Sequence, residues 1–196
     1  MYISVIKRFL DIIISFIIII IISPVLLLSA LVVINGDGFP IFYLQDRVGL
    51  NGTIFKVFKL RTMKLGMSNL GTTSFEDDPR YFFGSRFLRG FKIDELPQVF
   101  NILKGDMSLV GPRPTVQEDY EKMSEVQRQR FSITPGLTGL AQVSGNTSLK
   151  WPERVKLDIY YIDNCSLLLD VKILFKTFML LVSNRIDTNP PESGEW

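Results

Sequence analysis

The chain has 196 residues, with 22 Lys and Arg side chains against 20 Asp and Glu, one cysteine and no histidine. This length accommodates one domain with its own core rather than two full domains. The small net charge of +2 argues against nucleic acid as a partner. The single Cys165 excludes an intramolecular disulfide and a multi-cysteine zinc site, and the lack of histidine excludes Ser-His-Asp triads, Cys-His pairs and His-ligated metals. Any catalysis therefore depends on carboxylates, Lys, Arg, Tyr, Ser or Thr, or on a hard metal ion.

The first predicted element is an apolar segment, residues 12–34, which contains no charged side chain and follows Lys7 and Arg8. As a helix it is long enough to cross a hydrocarbon core, which takes about 20 residues. It is too long for the apolar part of a cleaved signal peptide, and no small-residue cleavage site follows it. Ser23-Pro24 lies in its middle, where proline removes a backbone donor and bends a helix.

Two membrane arrangements are compatible with this segment. The first is a kinked helix that spans the bilayer, and hydropathy alone favours it. Lys7 and Arg8 would then hold the N-terminus in the cytoplasm and place the rest of the chain outside. The second is a helix–break–helix at Ser23-Pro24 that enters the membrane and returns to the same face, with the Ser23 hydroxyl bonding a freed carbonyl.

The rest of the chain predicts a mixture of helices and a short strand. Residues 53–62 alternate β-branched and aromatic side chains with charged ones, which predicts a strand, and residues 65–80 are typical of a loop. Helices are predicted from about residue 94 to 105, from 116 to 130 and from 151 to 163. Residues 168–182 predict a strongly apolar helix, which either belongs to the core or lies in a membrane interface.

Asp94 and Glu95 are the first candidates for chemistry. In the order Asp94-Glu95-Leu96-Pro97, the plain interpretation is a helix start, with the aspartate as N-cap and the glutamate in the first turn. The functional interpretation uses the same geometry, because the N-terminus of a helix stabilises a carboxylate and attracts phosphate. An ionised aspartate beside a divalent cation can act as a nucleophile on phosphorus.

Several cations accompany this pair. Lys59 and Arg61 alternate on a predicted strand, so they project from one face, either as a solvated edge or as a clamp for a pyrophosphate. Arg113 stands in a Pro-Arg-Pro segment that fixes its backbone, and Arg89 precedes Asp94 by five residues in a patch whose ordinary interpretation is a solvated surface. Arg154 and Asp158 are spaced for an ion pair on one helix.

Five motifs together resemble the bacterial sugar transferases, the small monotopic phosphoglycosyl transferases. They are KLRTM at 59–63, FLR at 87–89, DELPQ at 94–98, GDMSLVGPRP at 105–114 and PGLTG at 135–139, with Ser23-Pro24 matching as well. The resemblance covers nearly the whole chain and is carried most specifically by the DELPQ block. It implies an α+β, mostly helical fold, with a re-entrant helix–break–helix at residues 1–36. A small cytoplasmic catalytic domain at 37–196 would contain a short sheet or hairpin and interfacial amphipathic helices.

The resemblance also implies a reaction. A sugar 1-phosphate would pass from a UDP-sugar to undecaprenyl phosphate at the cytoplasmic face of the bacterial inner membrane, with release of UMP. Asp94 would be the nucleophile that forms a covalent phosphosugar intermediate, Glu95 its catalytic partner, and Mg²⁺ would bind at Asp94. Lys59, Arg61, Arg89 and Arg113 would hold phosphates and nucleotide. Inner-membrane lipid is a further expected partner, and a homodimer or contacts with downstream glycosyltransferases stay open.

Two departures from the family pattern stand out: Leu60 occupies a position where the family usually has Phe, and residues 77–83 replace a threonine-bearing stretch, which leaves the role of Arg80 open. Two alternative functions are a non-catalytic membrane scaffold of a glycan assembly complex and a lipid phosphatase that releases sugar from a sugar nucleotide by water attack. The scaffold would not need the Asp94-Glu95 pair, which is intact here.

Overall fold

A computed structural model describes residues 2–67 and 78–183, and within them the chain is mostly helical with two small sheets. Helix α1 is Lys7–Asp37, preceded by one π-helical turn at Tyr2–Ile6. The other α-helices are α2 Ser85–Gly90, α3 Gln98–Lys104, α4 Gln117–Lys122, α5 Glu125–Arg128, α6 Leu140–Val143, α7 Trp151–Asp163 and α8 Leu167–Val182. The mostly helical architecture is as predicted, while most of the predicted loop at 65–80 and part of the divergent stretch at 77–83 lie outside the described residues.

The two sheets have opposite strand directions. Strands β1 (Phe42–Val48) and β2 (Ile54–Leu60) form an antiparallel hairpin in which Phe42 pairs with Leu60 and Val48 with Ile54. Strands β3 (Ser108–Val110) and β4 (Gly136–Thr138) pair in parallel. The hairpin confirms the short sheet expected around residues 53–62. Strand β2 ends two residues before the predicted strand.

Two predicted helices differ from the structure. The stretch 116–130 contains two helices rather than one, because Ser124 begins α5 with a capping box: its hydroxyl accepts from the Gln127 amide and its own amide donates to the Gln127 side chain. The helix expected from Asp94 begins only at Gln98. A single 3₁₀ turn, Ile93–Glu95, precedes it and follows Lys92, whose backbone is left-handed with φ 54°.

Helix α1 runs unbroken through Pro24, so the predicted interruption of the helix at Ser23-Pro24 is wrong. The Ser23 hydroxyl donates to the Ile20 carbonyl at 2.9 Å, the kind of local bond that makes proline tolerable in an apolar helix. Among the described residues, α1 is the one helix long and apolar enough to cross a membrane. Its apolar side chains between Ser15 and Ser29 stay at least partly exposed, as those of a lipid-facing helix do.

Both ends of α1 are bonded to the rest of the chain. At the N-terminal end, the Lys7 ammonium forms a buried ion pair of 2.6 Å with Asp170 of α8, and the Asp11 carboxylate accepts from the Leu109 amide at 3.0 Å. At the C-terminal end, the Arg61 guanidinium bonds the Asp37 carboxylate at 2.8 Å. This bond joins the end of the helix to the residue that follows strand β2.

The main core lies between α1, α3, α7, α8 and the parallel strand pair. Its buried members are Val57, Ile102, Met107, Leu109, Val110, Ile133, Tyr161 and Ile173. Helix α8 contributes one face to this core and leaves a second apolar face exposed, at Leu168, Val171, Phe175 and Phe178. The core alternative predicted for this helix is therefore confirmed for one face, while a place for the exposed face in a membrane interface stays a prediction.

Candidate active site

The Asp94-Glu95 pair stands on a tight turn between α2 and α3. The Glu95 amide donates to the Lys92 carbonyl and the Leu96 amide to the Ile93 carbonyl, both at 3.1 Å. Because Pro97 takes the N-cap position of α3 and no side chain caps that helix, the predicted capping role of Asp94 is wrong. The turn instead keeps Asp94 buried, with only 8% of the residue exposed.

Glu95 is held between two cations that come from distant parts of the chain. The Arg113 guanidinium bonds Glu95 Oε1 at 2.5 Å, and the Lys59 ammonium bonds the same oxygen at 3.1 Å. Arg113 is 41% exposed along its side chain, whereas Lys59 and Glu95 are each 18% exposed. The structure therefore brings together three of the predicted site residues, with Lys59 and Arg113 both bonded to the Glu95 carboxylate.

The charges of this cluster determine its protonation. Burial disfavours the charged form of Glu95, but the Arg113 and Lys59 cations outweigh it and hold the pKa of that carboxyl far below its usual range. Glu95 in turn raises the pKa of Arg113. Burial lowers the pKa of Lys59, which Glu95 partly offsets. Glu95 is thus an ionised anchor for two cations and a weak proton acceptor.

Asp94 differs from its neighbour in both environment and bonding. Burial, and then repulsion from Glu95, raise its pKa to about 6, while Lys59 and Arg89 act in the opposite direction. Within residues 2–67 and 78–183, no side-chain donor from another residue is bonded to the Asp94 carboxylate. A carboxylate that is buried, close to cations and bonded by none of them can receive a substrate atom or a metal ion.

The fit of a divalent cation can be tested on these residues. Mg²⁺ is usually held by one or two carboxylates together with substrate phosphates, rather than by a complete protein cage. The described residues contain no group of three or more carboxylate, cysteine or histidine ligands. The carboxylate of Asp94 matches the minimal form of such a site, and Glu95 is already bonded to two cations.

The loop that carries Arg113 is fixed by three glycines in contact. A Cβ on Gly136 would lie 2.1 Å from the Gly111 nitrogen, and a Cβ on Gly139 would lie 2.2 Å from the Gly111 oxygen. This close approach of two backbones permits the bonds from the Gly111 amide to Thr138 and from the Gly136 amide to the Pro112 carbonyl, both at 2.9 Å. The predicted turn at 135–139 is therefore a support for Arg113 and contains strand β4.

A buried ion pair supports the same loop from behind. Arg130 and Asp158 are each 3% exposed, and Arg130 bonds Asp158 Oδ2 through Nη2 at 2.7 Å and through Nε at 2.9 Å. Arg130 Nη2 also donates to the Arg113 carbonyl at 3.1 Å. The predicted pairing of Arg154 with Asp158 is therefore replaced by Arg130 with Asp158, while Arg154 Nε donates to the Leu149 carbonyl.

The remaining predicted residues have different environments. The structure gives Lys59 and Arg61 separate partners, because Arg61 is 3% exposed and bonds Asp37 and the Gly38 carbonyl rather than Glu95. Arg89, on α2, lies 5.9 Å from the centre of the Tyr81 ring and close enough to Asp94 to lower the pKa of that carboxyl. Arg80 forms a buried ion pair with Asp78.

Sequence reasoning missed a cavity of about 140 Å³ next to Arg113. Its lining residues come from strand β1, the loop after β3, the 3₁₀ turn Gln129–Phe131 and helices α4, α6 and α7, and they include Arg47, Arg130 and Gln142. Arg47, Arg130 and Gln142 are far apart along the chain and belong to none of the recognised motifs, so no local pattern pointed to them.

Comparison with known proteins gives a consistent result. The family model described as Bacterial sugar transferase matches residues 2–184. Galactosyl transferase CpsE of Streptococcus agalactiae serotype III is 40% identical over 189 residues, which cover 90% of this chain and 42% of CpsE. The uncharacterized sugar transferase EpsL of Bacillus subtilis is 38% identical, with 93% of this chain and 90% of EpsL covered. The UDP-glucose:undecaprenyl-phosphate glucose-1-phosphate transferase of Escherichia coli K12 is 40% identical, over 87% of this chain and 39% of that protein.

Proposed function

Because the chain belongs to the bacterial sugar transferase family, we propose that it transfers a sugar 1-phosphate from a UDP-sugar to undecaprenyl phosphate and releases UMP. The name of the Escherichia coli relative describes this kind of transfer for glucose. The observation that carries the proposal for this chain is the Asp94 carboxylate, which is buried beside Glu95 and its cations and is not bonded by them. A scaffold would not need a charged group kept in so costly a state.

We propose a two-step route with Asp94 as nucleophile. In the first step an Asp94 oxygen attacks the phosphorus that bears the sugar, the bond from that phosphorus to the UMP oxygen breaks, and UMP leaves. In the second step a phosphate oxygen of undecaprenyl phosphate attacks the same phosphorus, and the bond to Asp94 breaks to restore the carboxylate. With a pKa of about 6, Asp94 is mostly ionised at pH 7 and needs no separate base.

The cations around Asp94 have a defined task in this route. An anionic nucleophile that approaches a pyrophosphate is repelled, and fixed positive charges reduce that repulsion by several kcal/mol in transfer reactions of this class, about 3–4 kcal/mol for one well-placed donor. Arg113 and Lys59 are held in place by Glu95, so their charges are oriented before the substrate arrives. Glu95 then acts as a catalytic partner through these cations rather than by accepting a proton.

A magnesium ion fits the same arrangement. Asp94 would hold it together with the donor phosphates, and its charge would neutralise the negative charge that accumulates on the transferred group. Glu95, already bonded to two cations, is the poorer ligand.

We propose further that the apolar helix is re-entrant and that the body lies on the cytoplasmic face of the inner membrane. A spanning helix separates its two ends by a hydrocarbon core of about 30 Å. Here the Lys7 end is bonded to Asp170 and the Asp37 end to Arg61, so both ends are attached to the same body. Because α1 is continuous at Pro24, re-entry would take the form of a bend at this exposed proline rather than of the predicted break between two helices.

The topology has a direct test in cells. With Cys165 replaced by serine, the single variants Val5→Cys and Asn35→Cys place one thiol near each end of α1, at exposed positions. A reagent that does not cross membranes is expected to label neither in intact spheroplasts and both in inverted vesicles. Labelling of the two positions from opposite sides would contradict re-entry and restore the spanning helix.

The reaction has a stoichiometric test. Purified protein in detergent, with Mg²⁺, is given a panel of UDP-sugars with and without undecaprenyl phosphate, and UMP is measured. We expect many equivalents of UMP with lipid, and at most one equivalent per protein without it, because the covalent intermediate then waits for its acceptor. Continuous release of UMP without lipid would indicate the alternative enzyme that uses water as acceptor. No release of UMP with any UDP-sugar would indicate the non-catalytic scaffold.

A further inference from the structure

The cavity beside Arg113 has a defined size and charge. Its volume of about 140 Å³ is smaller than the roughly 300–1,000 Å³ of pockets that enclose whole small-molecule ligands. Four arginines and two aspartates line it, Arg47, Arg113, Arg130, Arg154, Asp119 and Asp158, so its lining is positive overall. A cavity of this kind accommodates one end of an anionic ligand rather than all of it.

Two polar atoms among the lining residues are buried and lack hydrogen-bond partners. One is Nη1 of Arg130, a donor on a side chain that is 3% exposed, and the other is Oε1 of Gln142, an acceptor. The orientation of the Gln142 amide is fixed because its Nε2 donates to the Leu137 carbonyl at 3.2 Å. An unpaired donor and an unpaired acceptor beside one cavity both cost free energy unless a ligand supplies the partners.

The complement of this pair is a ring edge that has one N–H donor next to one carbonyl acceptor. The imide edge of a uracil ring has this arrangement, whereas a phosphate or a sugar hydroxyl does not supply both groups in a plane. Arg113 lies at the boundary between this cavity and the Glu95 cluster, because it lines the first and bonds the second. A nucleotide seated with its base in the cavity therefore has its phosphates on the side of the arginine that leads to Asp94.

We propose that this cavity binds the base of the UDP-sugar, with Gln142 Oε1 accepting from the ring N3–H and Arg130 Nη1 donating to a ring carbonyl. The proposal rests on the proposed function, since it assigns a seat to the leaving nucleotide of that reaction. It makes Gln142, on α6, a residue that selects the donor by its base. Arg130 has two duties: it holds Asp158 and the Arg113 loop, and it offers its remaining nitrogen to the ligand.

The test removes the proposed hydrogen bond between the ring N3–H and Gln142 Oε1, once by changing the ligand and once by changing the protein. Binding of UDP and of 3-methyluridine 5′-diphosphate, which lacks the N3–H, is measured by calorimetry for the wild-type chain and for Gln142→Leu. The control is Gln117→Leu, which makes the same substitution at an exposed glutamine on α4. We expect the wild type and the control to bind UDP about tenfold or more tightly than the methylated analogue. In Gln142→Leu, UDP binding should weaken about tenfold and the preference should disappear.

Each outcome of this test has a defined meaning. A Gln142→Leu chain that keeps the full preference for UDP over the methylated analogue overturns the assignment of the base to this cavity. If the wild type releases UMP with lipid but Gln142→Leu changes neither binding nor preference, only this inference fails. If the wild type neither binds UDP nor releases UMP, the proposed function fails with it. Unaltered thermal unfolding of the variant excludes a general loss of structure as the cause of weakened binding.

Discussion

Asp94→Asn is expected to abolish UMP release and, in the same protein, to raise the stability of the fold. Loss of a nucleophile that forms a covalent intermediate costs a factor of at least about 10³ in rate, because no other group can make the bond. Intact-protein mass spectrometry after incubation with a UDP-sugar and no lipid should show one added phosphosugar on the wild type and none on the variant. An adduct on Asp94→Asn would place the nucleophile elsewhere.

The gain in stability follows from the pKa of Asp94. Its value in the folded protein, about 6, lies above its ordinary value of 3.8, so the folded state binds the proton more tightly than the unfolded state. The penalty for ionising this buried group develops as the pH rises from about 4 to 6, and it is fully present at pH 7. A shift of this size corresponds to about 3 kcal/mol. The neutral amide escapes the penalty, so we expect the Tm to rise by about 6–12 °C at pH 7.

A matched control separates this effect from a general change of charge. Asp46, on strand β1, has a side chain that is 64% exposed and pairs with Lys56, which is itself exposed. Asp46→Asn should leave both activity and Tm unchanged. The difference in Tm between Asp94→Asn and the wild type should also nearly vanish near pH 4, where the Asp94 carboxyl is protonated in the folded state. A variant that is inactive and less stable at pH 7 would contradict the placement of an ionised, unbonded carboxylate at this position.

Local sequence patterns predicted some of the regular elements, and they singled out Asp94 and Glu95 as the first candidates for chemistry. Helix α7 has the predicted bounds because Pro152 stands in its first turn and apolar residues recur at helical spacing after it. The sequence also contains a signal for the two helices within 116–130, since Ser124 and Gln127 have the spacing of a capping box. The stretch is polar throughout, so the boundary between the two helices was not predicted. Asp94 was predicted as a cap because its neighbours suit a helix start, while the left-handed Lys92 moves that start to Gln98.

The contacts that build the site could not be predicted in this way. Glu95 takes its partners from positions 59 and 113, and Arg130 takes its partner from position 158. Nothing in the charge pattern distinguishes these pairs from others at similar separations, such as Arg154 with Asp158, because packing of the core decides which side chains meet. Arg61 illustrates the same point. Its spacing of two residues from Lys59 suggested that both side chains form one anion clamp, whereas in the folded chain Arg61 bonds Asp37.

Loss of one member of the Arg130–Asp158 pair is expected to have a large effect on stability, because both side chains are buried. Removal of one member leaves the other charged and buried, which costs about 3–5 kcal/mol in comparable pairs. Asp158→Ala should therefore lower the Tm by at least about 6 °C. The same change on the exposed Asp163, on the same helix, should have no measurable effect.

The consequences of this pair extend to the site through Arg130. Its Nη2 donates to the Arg113 carbonyl, so loss of Asp158 frees the guanidinium that positions the loop carrying Arg113. Asp158→Asn keeps the size of the side chain and one acceptor, and we expect it to weaken UDP binding while Asp94 still forms the covalent adduct at saturating donor. The double variant Arg130→Leu/Asp158→Leu removes both charges and should recover much of the stability lost in Asp158→Ala, but not the binding of UDP. Recovery of binding together with stability would show that the pair serves the fold alone and that Arg130 has no contact with the nucleotide.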